Sequence, residues 1–149
     1  MKSELKFKNG DLKWGKFYHE NGQLRKEGDY KEGTMYGLWK HYYFEGQLES
    51  ELNMINDVIT GELKTYYKNG QLRERGSWST TYEDSWNSGK RISYRINSHY
   101  WWYEDGTLRS KRNYDDFLKD EENCWDKKEN EIECDSVHVI YSRNEGFSN

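Results

Sequence analysis

Hydrophobic and polar residues alternate along much of residues 1–114, and short glycine turns interrupt the alternation at regular intervals. The clearest turn is Asn21-Gly22-Gln23-Leu24, which returns around Gly46 and Gly70 and more loosely around Gly106. These glycines are 24, 24 and 36 residues apart, and all three intervals are multiples of twelve. Alternation on both sides of a glycine turn is typical of β-hairpins. The pattern therefore predicts an internal repeat of hairpins joined by short, glycine-containing linkers.

The turn chemistry predicts the register of each hairpin. Asn-Gly between alternating segments favours a two-residue type I′ turn, in which both central residues have positive φ. In the second copy such a turn places Tyr43 opposite Leu48, and Trp39 opposite Leu52. One face of the sheet is then the predicted core. It collects His19, Tyr43, Tyr67, Tyr103, Leu24, Leu48, Leu72, Leu108, Trp39, Leu63, Tyr30, Trp78 and Tyr114.

The opposite face carries the candidate binding site. Each copy places one aromatic residue there, and in three copies a lysine stands two residues earlier on the same face. The positions directly across from the rings hold three arginines and Glu49. The predicted partner-binding residues are Tyr18, Tyr42, Tyr66, Trp102, Arg25, Arg73, Arg109, Lys16, Lys40 and Lys64. Rings flanked by positive charge suit a protein interface or single-stranded nucleic acid, although surface tyrosines also stabilise a sheet by pairing across strands.

Two segments depart from the repeat. Residues 79–100 form an irregular insertion, for which we expect an extra hairpin turning at Asn87-Ser88-Gly89 or a functional loop. Residues 115–149 are predicted to be an acidic C-terminal α/β cap, with a short helix over 115–128 and a strand at 137–141. Residues 115–135 contain ten acidic residues and three lysines, which gives the segment a net charge of −7. Acidic residues of this tail are further candidates for partner binding: Asp120, Glu121 and Glu122.

Composition changes this picture in one respect. Hydrophobic residues make up 33% of the chain and charged residues 34%, a balance that alone would favour disorder. However, 17% of the residues are aromatic, and rings bury large areas, so they can form the core. We expect an all-β fold, an elongated curved antiparallel sheet of successive hairpins. No apolar run suggests a signal peptide or a membrane span, so we expect a cytoplasmic protein with no membrane partner.

Little in the chain points to catalysis or to a metal. Cys124, Cys134 and His138 form a C-x9-C-x3-H pattern that could supply three zinc ligands, but no fourth stands out. We expect ordinary reduced cysteines, no metal and no other cofactor. His19 and His41 occupy repeat positions held elsewhere by Tyr and Thr, which indicates structural roles. No phosphate loop or nucleophile elbow is present, so we expect no catalytic residues and no enzymatic activity.

The repeat unit combines Tyr-Tyr, two further residues, Gly-Gln-Leu, and then Glu and an aromatic residue. It resembles the variant MORN repeat of bacterial proteins described as antitoxin components of toxin–antitoxin systems. The glycines of the three Gly-Gln-Leu turns and the pairs Tyr42-Tyr43 and Tyr66-Tyr67 carry the resemblance. It covers residues 5–78 well and 100–114 loosely, and it implies a sheet of hairpins that serves as a binding platform.

These observations lead to two functional hypotheses. The first is a non-catalytic module that binds and occludes a partner protein, as an antitoxin-like or inhibitory protein. The partner would be a toxin, nuclease or effector, including a bacterial immune nuclease blocked by a phage or mobile-element product. The alternative is binding of single-stranded nucleic acid, RNA in particular, through the Tyr/Arg/Lys face. A pI near 5.6 argues against the alternative.

Overall fold

The computed structural model describes residues 2–82, 91–114 and 121–134, and their strands form one open antiparallel sheet. Each strand pairs with the next one along the chain. The strands are β1 (Ser3–Lys8), β2 (Asp11–Tyr18), β3 (Leu24–Lys31), β4 (Thr34–Tyr42), β5 (Leu48–Ile55), β6 (Val58–Tyr66), β7 (Leu72–Tyr82), β8 (Arg91–Trp102), β9 (Leu108–Tyr114), β10 (Glu121–Trp125) and β11 (Glu131–Ile132). The predicted all-β meander of hairpins is confirmed.

The turns at Gly-Gln-Leu differ from the predicted type. The N–H of Tyr43 donates to the Gln47 carbonyl over 2.8 Å, and the N–H of Gly46 donates to the Tyr43 carbonyl over 2.9 Å. The loop thus has three residues, of which only the glycine has positive φ, 94° at Gly46. This is a β-turn followed by a glycine bulge. The prediction of a two-residue type I′ turn at Asn21-Gly22 is wrong, because Asn21 does not adopt positive φ.

Two-residue turns instead join one hairpin to the next. Asn9-Gly10, Glu32-Gly33 and Asn56-Asp57 each have positive φ at both residues, the requirement of a type I′ turn. The residues that flank such a turn pair directly, as Lys31 does with Thr34. The short connections expected between the copies are therefore present. They adopt the type I′ conformation that was predicted for the Gly-Gln-Leu turns.

The three-residue turn changes the register next to it. Tyr42, and not Tyr43, lies opposite Leu48, so the predicted pair is wrong by one residue. Glu49 then stands as an extra residue between two pairs, a β-bulge that restores the predicted pairing along the rest of the hairpin. The same one-residue shift recurs beside the other Gly-Gln-Leu turns and beside Gly106.

The hydrophobic core lies on one face of the sheet, hereafter the core face. Its most buried apolar side chains are Trp39, Leu52, Met54 and Leu63, which are at most 5% exposed. Partly buried side chains pack around them: Phe17, Tyr30, Met35, Ile59 and Trp78. The Trp39 indole also donates from Nε1 to the Asp29 carbonyl over 3.0 Å, so its polar atom is satisfied. The predicted core positions of Trp39 and Leu63 are confirmed.

Successive copies fill the same pair of core positions with different combinations of residues. Equivalent positions 24 residues apart hold Gly28, Leu52 and Gly76. The residues that pack on them, again at equivalent positions, are Trp39, Leu63 and His99. A Cβ added at Gly28 would overlap the Trp39 ring, and one at Gly76 would overlap the His99 ring. A ring therefore lies over glycine in two copies, and leucine lies beside leucine in the copy between them.

Half-buried side chains link each turn to the next copy. Tyr43 and Tyr67 donate from their hydroxyls to the carbonyls of Tyr66 and Trp102, both over 2.7 Å. Equivalent contacts join His19 Nε2 to the Tyr42 carbonyl and the Tyr103 hydroxyl to the Trp125 carbonyl. These bonds run between neighbouring turns, so the edge of the sheet that carries the turns is held as one unit.

The segment predicted as an insertion extends an existing hairpin. β7 and β8 pair residue by residue from Ser77 with Ile96 to Tyr82 with Arg91. The additional length between the third and fourth copies is thus taken up, in the described residues, by longer strands. The predicted turn at Asn87-Ser88-Gly89 lies outside the described residues.

The described part of the tail, residues 121–134, contains two strands, and it corrects two predictions. Glu121–Trp125 forms β10, and residues 126–130 form another turn in which the Asp126 N–H donates to the Asn130 carbonyl over 2.9 Å. The predicted helix over 115–128 is wrong for this part, because β10 pairs with β9. The prediction of reduced cysteines is also wrong, since Cys124 and Cys134 form a disulfide. Residues 115–120 and the predicted strand at 137–141 lie outside the described residues.

Candidate functional site

The structure places the predicted rings and lysines together on the face opposite the core, hereafter the tyrosine face. The Tyr42 hydroxyl donates to Glu27 Oε1 over 2.7 Å, and the Tyr66 hydroxyl donates to Glu51 Oε2 over 2.9 Å. Lys40 Nζ lies 3.4 Å from Glu51 Oε1, within the same row. Tyr42 and Tyr66 are thus each held by a carboxylate on the preceding strand. Their hydroxyls already have a hydrogen-bond partner before any other protein binds.

The carboxylates of this face correct the predicted electrostatics. Lys16 lies 3.5 Å from Glu27, and Lys64 lies 2.9 Å from Glu62. With the Lys40–Glu51 pair, all three predicted lysines are paired with glutamates. The expected positive charge around Tyr18, Tyr42 and Tyr66 is therefore largely neutralised.

Sequence reasoning missed Glu27 and Glu51, although a signal for them was available. The two glutamates are 24 residues apart, which is the interval of the repeat. Each lies directly opposite a lysine, Glu27 across from Lys40 and Glu51 across from Lys64. Opposite charges at facing positions of an antiparallel pair are a common source of stability, and the predicted hairpin register already places Glu27 opposite Lys16 and Glu51 opposite Lys40.

The tyrosine hydroxyls are held in the neutral form. Burial, followed by the hydrogen bond to Glu27, raises the pKa of Tyr42 to about 12. Burial and the hydrogen bond to Glu51 likewise raise the pKa of Tyr66 to about 12. A phenol that donates to a carboxylate resists ionisation, because loss of the proton would place two negative charges side by side.

Replacing Glu51 by glutamine should lower the pKa of Tyr66 more than that of Tyr42. Glu51 accepts a hydrogen bond from the Tyr66 hydroxyl, whereas it influences Tyr42 through its charge alone. The measurement is a titration of the tyrosine Cζ resonances by NMR up to pH 10.5, where wild-type Tyr42 and Tyr66 should still be neutral. Glu27→Gln is the matched control and should produce the reverse order. Equal shifts of both tyrosines in both variants would contradict the assigned pairs.

The arginines predicted opposite the rings lie elsewhere. Arg25, Arg73 and Arg109 are the residues left over at the register shifts. Arg73 Nε donates to Thr65 Oγ1 over 3.2 Å, and the Arg109 guanidinium lies 5.6 Å from the Tyr103 ring centre. Thr65 is buried in the row that holds Ser50 of the core face. The prediction that these arginines face the outward tyrosines is wrong, because the bulge turns them away from that row.

His41 is affected mainly by its burial, and Arg25 contributes only a small part. Burial, with smaller contributions from Lys26 and Arg25, lowers the pKa of His41 to about 4. The folded protein thus keeps His41 neutral, as a structural residue should be.

Because the pKa of His41 is lower in the folded chain than its ordinary 6.5, its contribution to stability is complete above pH 6.5. That contribution is lost as the pH falls towards 4. Between pH 7 and pH 4 the wild type should lose about 2–3 kcal/mol more free energy of unfolding than His41→Thr, which carries the residue of the equivalent position 65. Urea unfolding of both chains at the two pH values measures the difference. Parallel losses would show that His41 titrates normally.

The acidic residues of the tail are only partly available. Glu121 is exposed on β10, whereas Glu122 Oε2 lies 3.8 Å from Arg112 Nη1 with its side chain 18% exposed. Asp120 lies outside the described residues. Glu122 also lies near Cys124 and Cys134, with ligand atoms within 4.8 Å of one another. The two sulfur atoms are joined to each other, and His138, the third residue of the predicted zinc pattern, is outside the described residues.

These features define a class: a sheet of repeated hairpins, with an aromatic and charged face held rigid by its own contacts. The profile of the MORN repeat variant matches four segments, residues 15–32, 35–56, 59–79 and 98–116. Together they span more than half of the chain, which therefore belongs to the MORN repeat variant family. No curated protein matches the chain significantly.

MORN repeats generally mediate binding to proteins or to membrane lipids, and proteins built from them are generally non-catalytic. Within residues 2–82, 91–114 and 121–134 there is no helix long and apolar enough to cross a membrane.

Proposed function

We propose that this chain is a non-catalytic protein-binding module that acts by occluding its partner, as an antitoxin-like or inhibitory protein. The observation that carries the proposal is the row of pre-ordered rings on the tyrosine face. Tyrosines are enriched among the residues that dominate protein interfaces. The hydroxyls of Tyr42 and Tyr66 are fixed by Glu27 and Glu51, so little side-chain freedom remains to be lost on binding.

The partner in this proposal is a toxin, a nuclease or another effector, with a bacterial immune nuclease inhibited by a phage or mobile-element protein as the specific case. Since Lys16, Lys40 and Lys64 are paired with glutamates, the row of rings carries little net charge. Association through it should therefore depend mainly on shape and ring burial, and only weakly on salt. The same pairing disfavours the nucleic-acid alternative for this row.

A cytoplasmic location belongs to the same proposal. A structural disulfide is typical of oxidising compartments, and cytosolic thiol systems would reduce an accessible Cys124–Cys134 bond. The bond joins β10 to the residues after β11, whereas the tyrosine face is formed by β2 to β7.

The test is affinity capture from the native host with three forms of the full chain: wild type, Tyr18/Tyr42/Tyr66→Ala, and His19/Tyr43/Tyr67→Ala. The third is the matched control, because it removes the neighbouring residue of each pair, which bonds to the next turn. Far-UV circular dichroism at the assay temperature verifies folding, and single Tyr42→Ala and Tyr66→Ala variants replace any triple variant that unfolds.

We expect the wild type and the control to capture the same protein and the tyrosine variant to lose it. Equal capture by all folded forms would reject the tyrosine face as the binding surface. Loss of capture by the control alone would reject it as well.

A further inference from the structure

The third and fourth copies of the repeat depart from the first two at positions that build the tyrosine face. One column of equivalent positions holds Lys16, Lys40 and Lys64, and then Tyr100. The facing column holds Glu27 and Glu51, and then Arg75 and Lys111. The tyrosine column reads Tyr18, Tyr42 and Tyr66, and then Trp102. A basic residue thus replaces the glutamate of the facing column in the third and fourth copies. In the fourth copy, Trp102 replaces the tyrosine whose hydroxyl donates to that glutamate in the earlier copies.

The replaced residues meet in one continuous row across four strands. Lys64 of β6 pairs with Arg75 of β7, Arg75 pairs with Tyr100 of β8, and Tyr100 pairs with Lys111 of β9. With neighbouring strands about 4.8 Å apart, this row is about 14 Å long. We define these four residues and Trp102 as the basic-aromatic patch.

The rings of the patch are stacked and flanked by cations. Tyr100 and Trp102 are stacked, with ring centres 5.9 Å apart and planes at 26°. Lys111 Nζ lies 5.8 Å from the centre of the Tyr100 ring. Both rings are half-buried, so each keeps part of its surface open to solvent.

The charges of the patch are incompletely neutralised, unlike those of the earlier copies. Glu62 is shared by two cations, at 2.9 Å from Lys64 Nζ and 2.7 Å from Arg75 Nε. The Arg75 side chain is still 57% exposed. No carboxylate of the described residues lies within ion-pair distance of Lys111, whose ammonium group lies over the Tyr100 ring. Lys64 and Arg75 thus share Glu62, and Lys111 has no ion-pair partner among the described residues, so the positive charge of the row is only partly balanced.

We propose that the basic-aromatic patch binds single-stranded nucleic acid. Stacked rings offer a surface to an unpaired base, and the flanking cations are placed to neutralise the adjoining phosphates. An acidic polypeptide would pair with the cations but would leave the stacked rings without a planar partner. Single-stranded nucleic acid can contact both the cations, through its phosphates, and the rings, through its bases. The patch lies beside the row of Tyr18, Tyr42 and Tyr66 and includes Lys64 of that row, but its test changes only Arg75, Lys111 and Trp102, so it is independent of the proposed protein partner.

The test uses fluorescence anisotropy with labelled twelve-nucleotide oligouridylate and oligodeoxythymidylate and the full chain, at 50 and 200 mM salt. Arg75→Glu/Lys111→Glu restores the glutamates of the earlier copies, so it keeps residues that this sheet already accommodates. The matched control is Lys6→Glu/Lys8→Glu on β1, which makes the same change in net charge away from the patch. Trp102→Tyr tests stacking with the residue of the earlier copies.

The patch variant should weaken binding at least about tenfold and lower the slope of log Kd against log salt by about two, while the control changes Kd less than about twofold. Trp102→Tyr should weaken binding less than the charge reversal and leave the salt slope unchanged. Three outcomes overturn the proposal: no binding of either oligonucleotide at 50 mM salt, equal losses in the patch variant and the control, or tighter binding of a labelled polyglutamate of equal length.

Discussion

Replacing Gly28 by leucine should destabilise the sheet by about 3 kcal/mol, and in that chain Trp39→Leu should cost about 2 kcal/mol less than it does in the wild type. The first change drives a side chain into the Trp39 ring, since even a Cβ at Gly28 would overlap it. The second change removes the ring. The double variant then carries leucine at both positions, which is the pair that the next copy uses at Leu52 and Leu63.

Trp39→Leu alone should also be costly, by about 2–4 kcal/mol, because it leaves a cavity beside Gly28 and abandons the bond to the Asp29 carbonyl. Urea unfolding of the wild type, the two single variants and the double variant completes the cycle. A favourable coupling of about 2 kcal/mol is expected. If the two single losses simply added, the pairing of large and small residues between copies would be refuted.

Reducing the Cys124–Cys134 disulfide should lower the stability of the C-terminal end of the sheet by about 2–3 kcal/mol. The bond closes a short loop, ten residues apart in sequence, and it fixes residue 134 beside β10. In a repeat protein each unit contacts mainly its neighbours, so the effect should be concentrated in β9 to β11.

Hydrogen exchange of the oxidised and reduced chains measures this loss strand by strand. Cys124→Ser/Cys134→Ser is the control, and its exchange should match the reduced chain and be insensitive to reductant. An unchanged exchange rate in β10 on reduction would contradict the prediction. A uniform loss across β2 to β6 would do so as well.

Much of the fold could be predicted because the repeat encodes it many times. Glycine at a turn and alternation on both sides specify a hairpin, and three close copies of Gly-Gln-Leu make the pattern unambiguous. Alternation also predicted that the two tyrosines of each Tyr-Tyr pair point to opposite sides of the sheet. Tyr42 lies on the tyrosine face, and Tyr43 bonds to the next turn.

The errors in the predicted site come from single-residue shifts that alternation does not reveal. A two-residue and a three-residue turn can share the same Asn-Gly sequence, and the choice moves Tyr43 away from Leu48. The bulge that follows carries Arg73 to Thr65 and away from the outward rings. Predicting it requires the backbone of the turn, which the order of polar and apolar residues does not specify.

The tail was mispredicted for a different reason. Its acidic residues hide the pattern, and its turn has Glu129, with φ 64°, at the position where the earlier turns have glycine. The hydrogen bonds of the earlier turns are nevertheless repeated between Asp126 and Asn130. The disulfide depends on the pairing of β10 with β11, which brings Cys124 and Cys134 together. Because that hairpin was not predicted, the bond was not predicted either.

The central claim is that the tyrosine face is the surface that meets a partner protein. Its most direct test is site-specific photocrosslinking in host cells, with p-benzoylphenylalanine at position 42 or, as the control, at position 44. Both positions hold aromatic residues, but Tyr42 lies on the tyrosine face and Phe44 is a 46% exposed ring in the turn. We predict one discrete crosslinked protein from position 42 and none from position 44. No crosslink from position 42, or the same product from both positions, would contradict the claim.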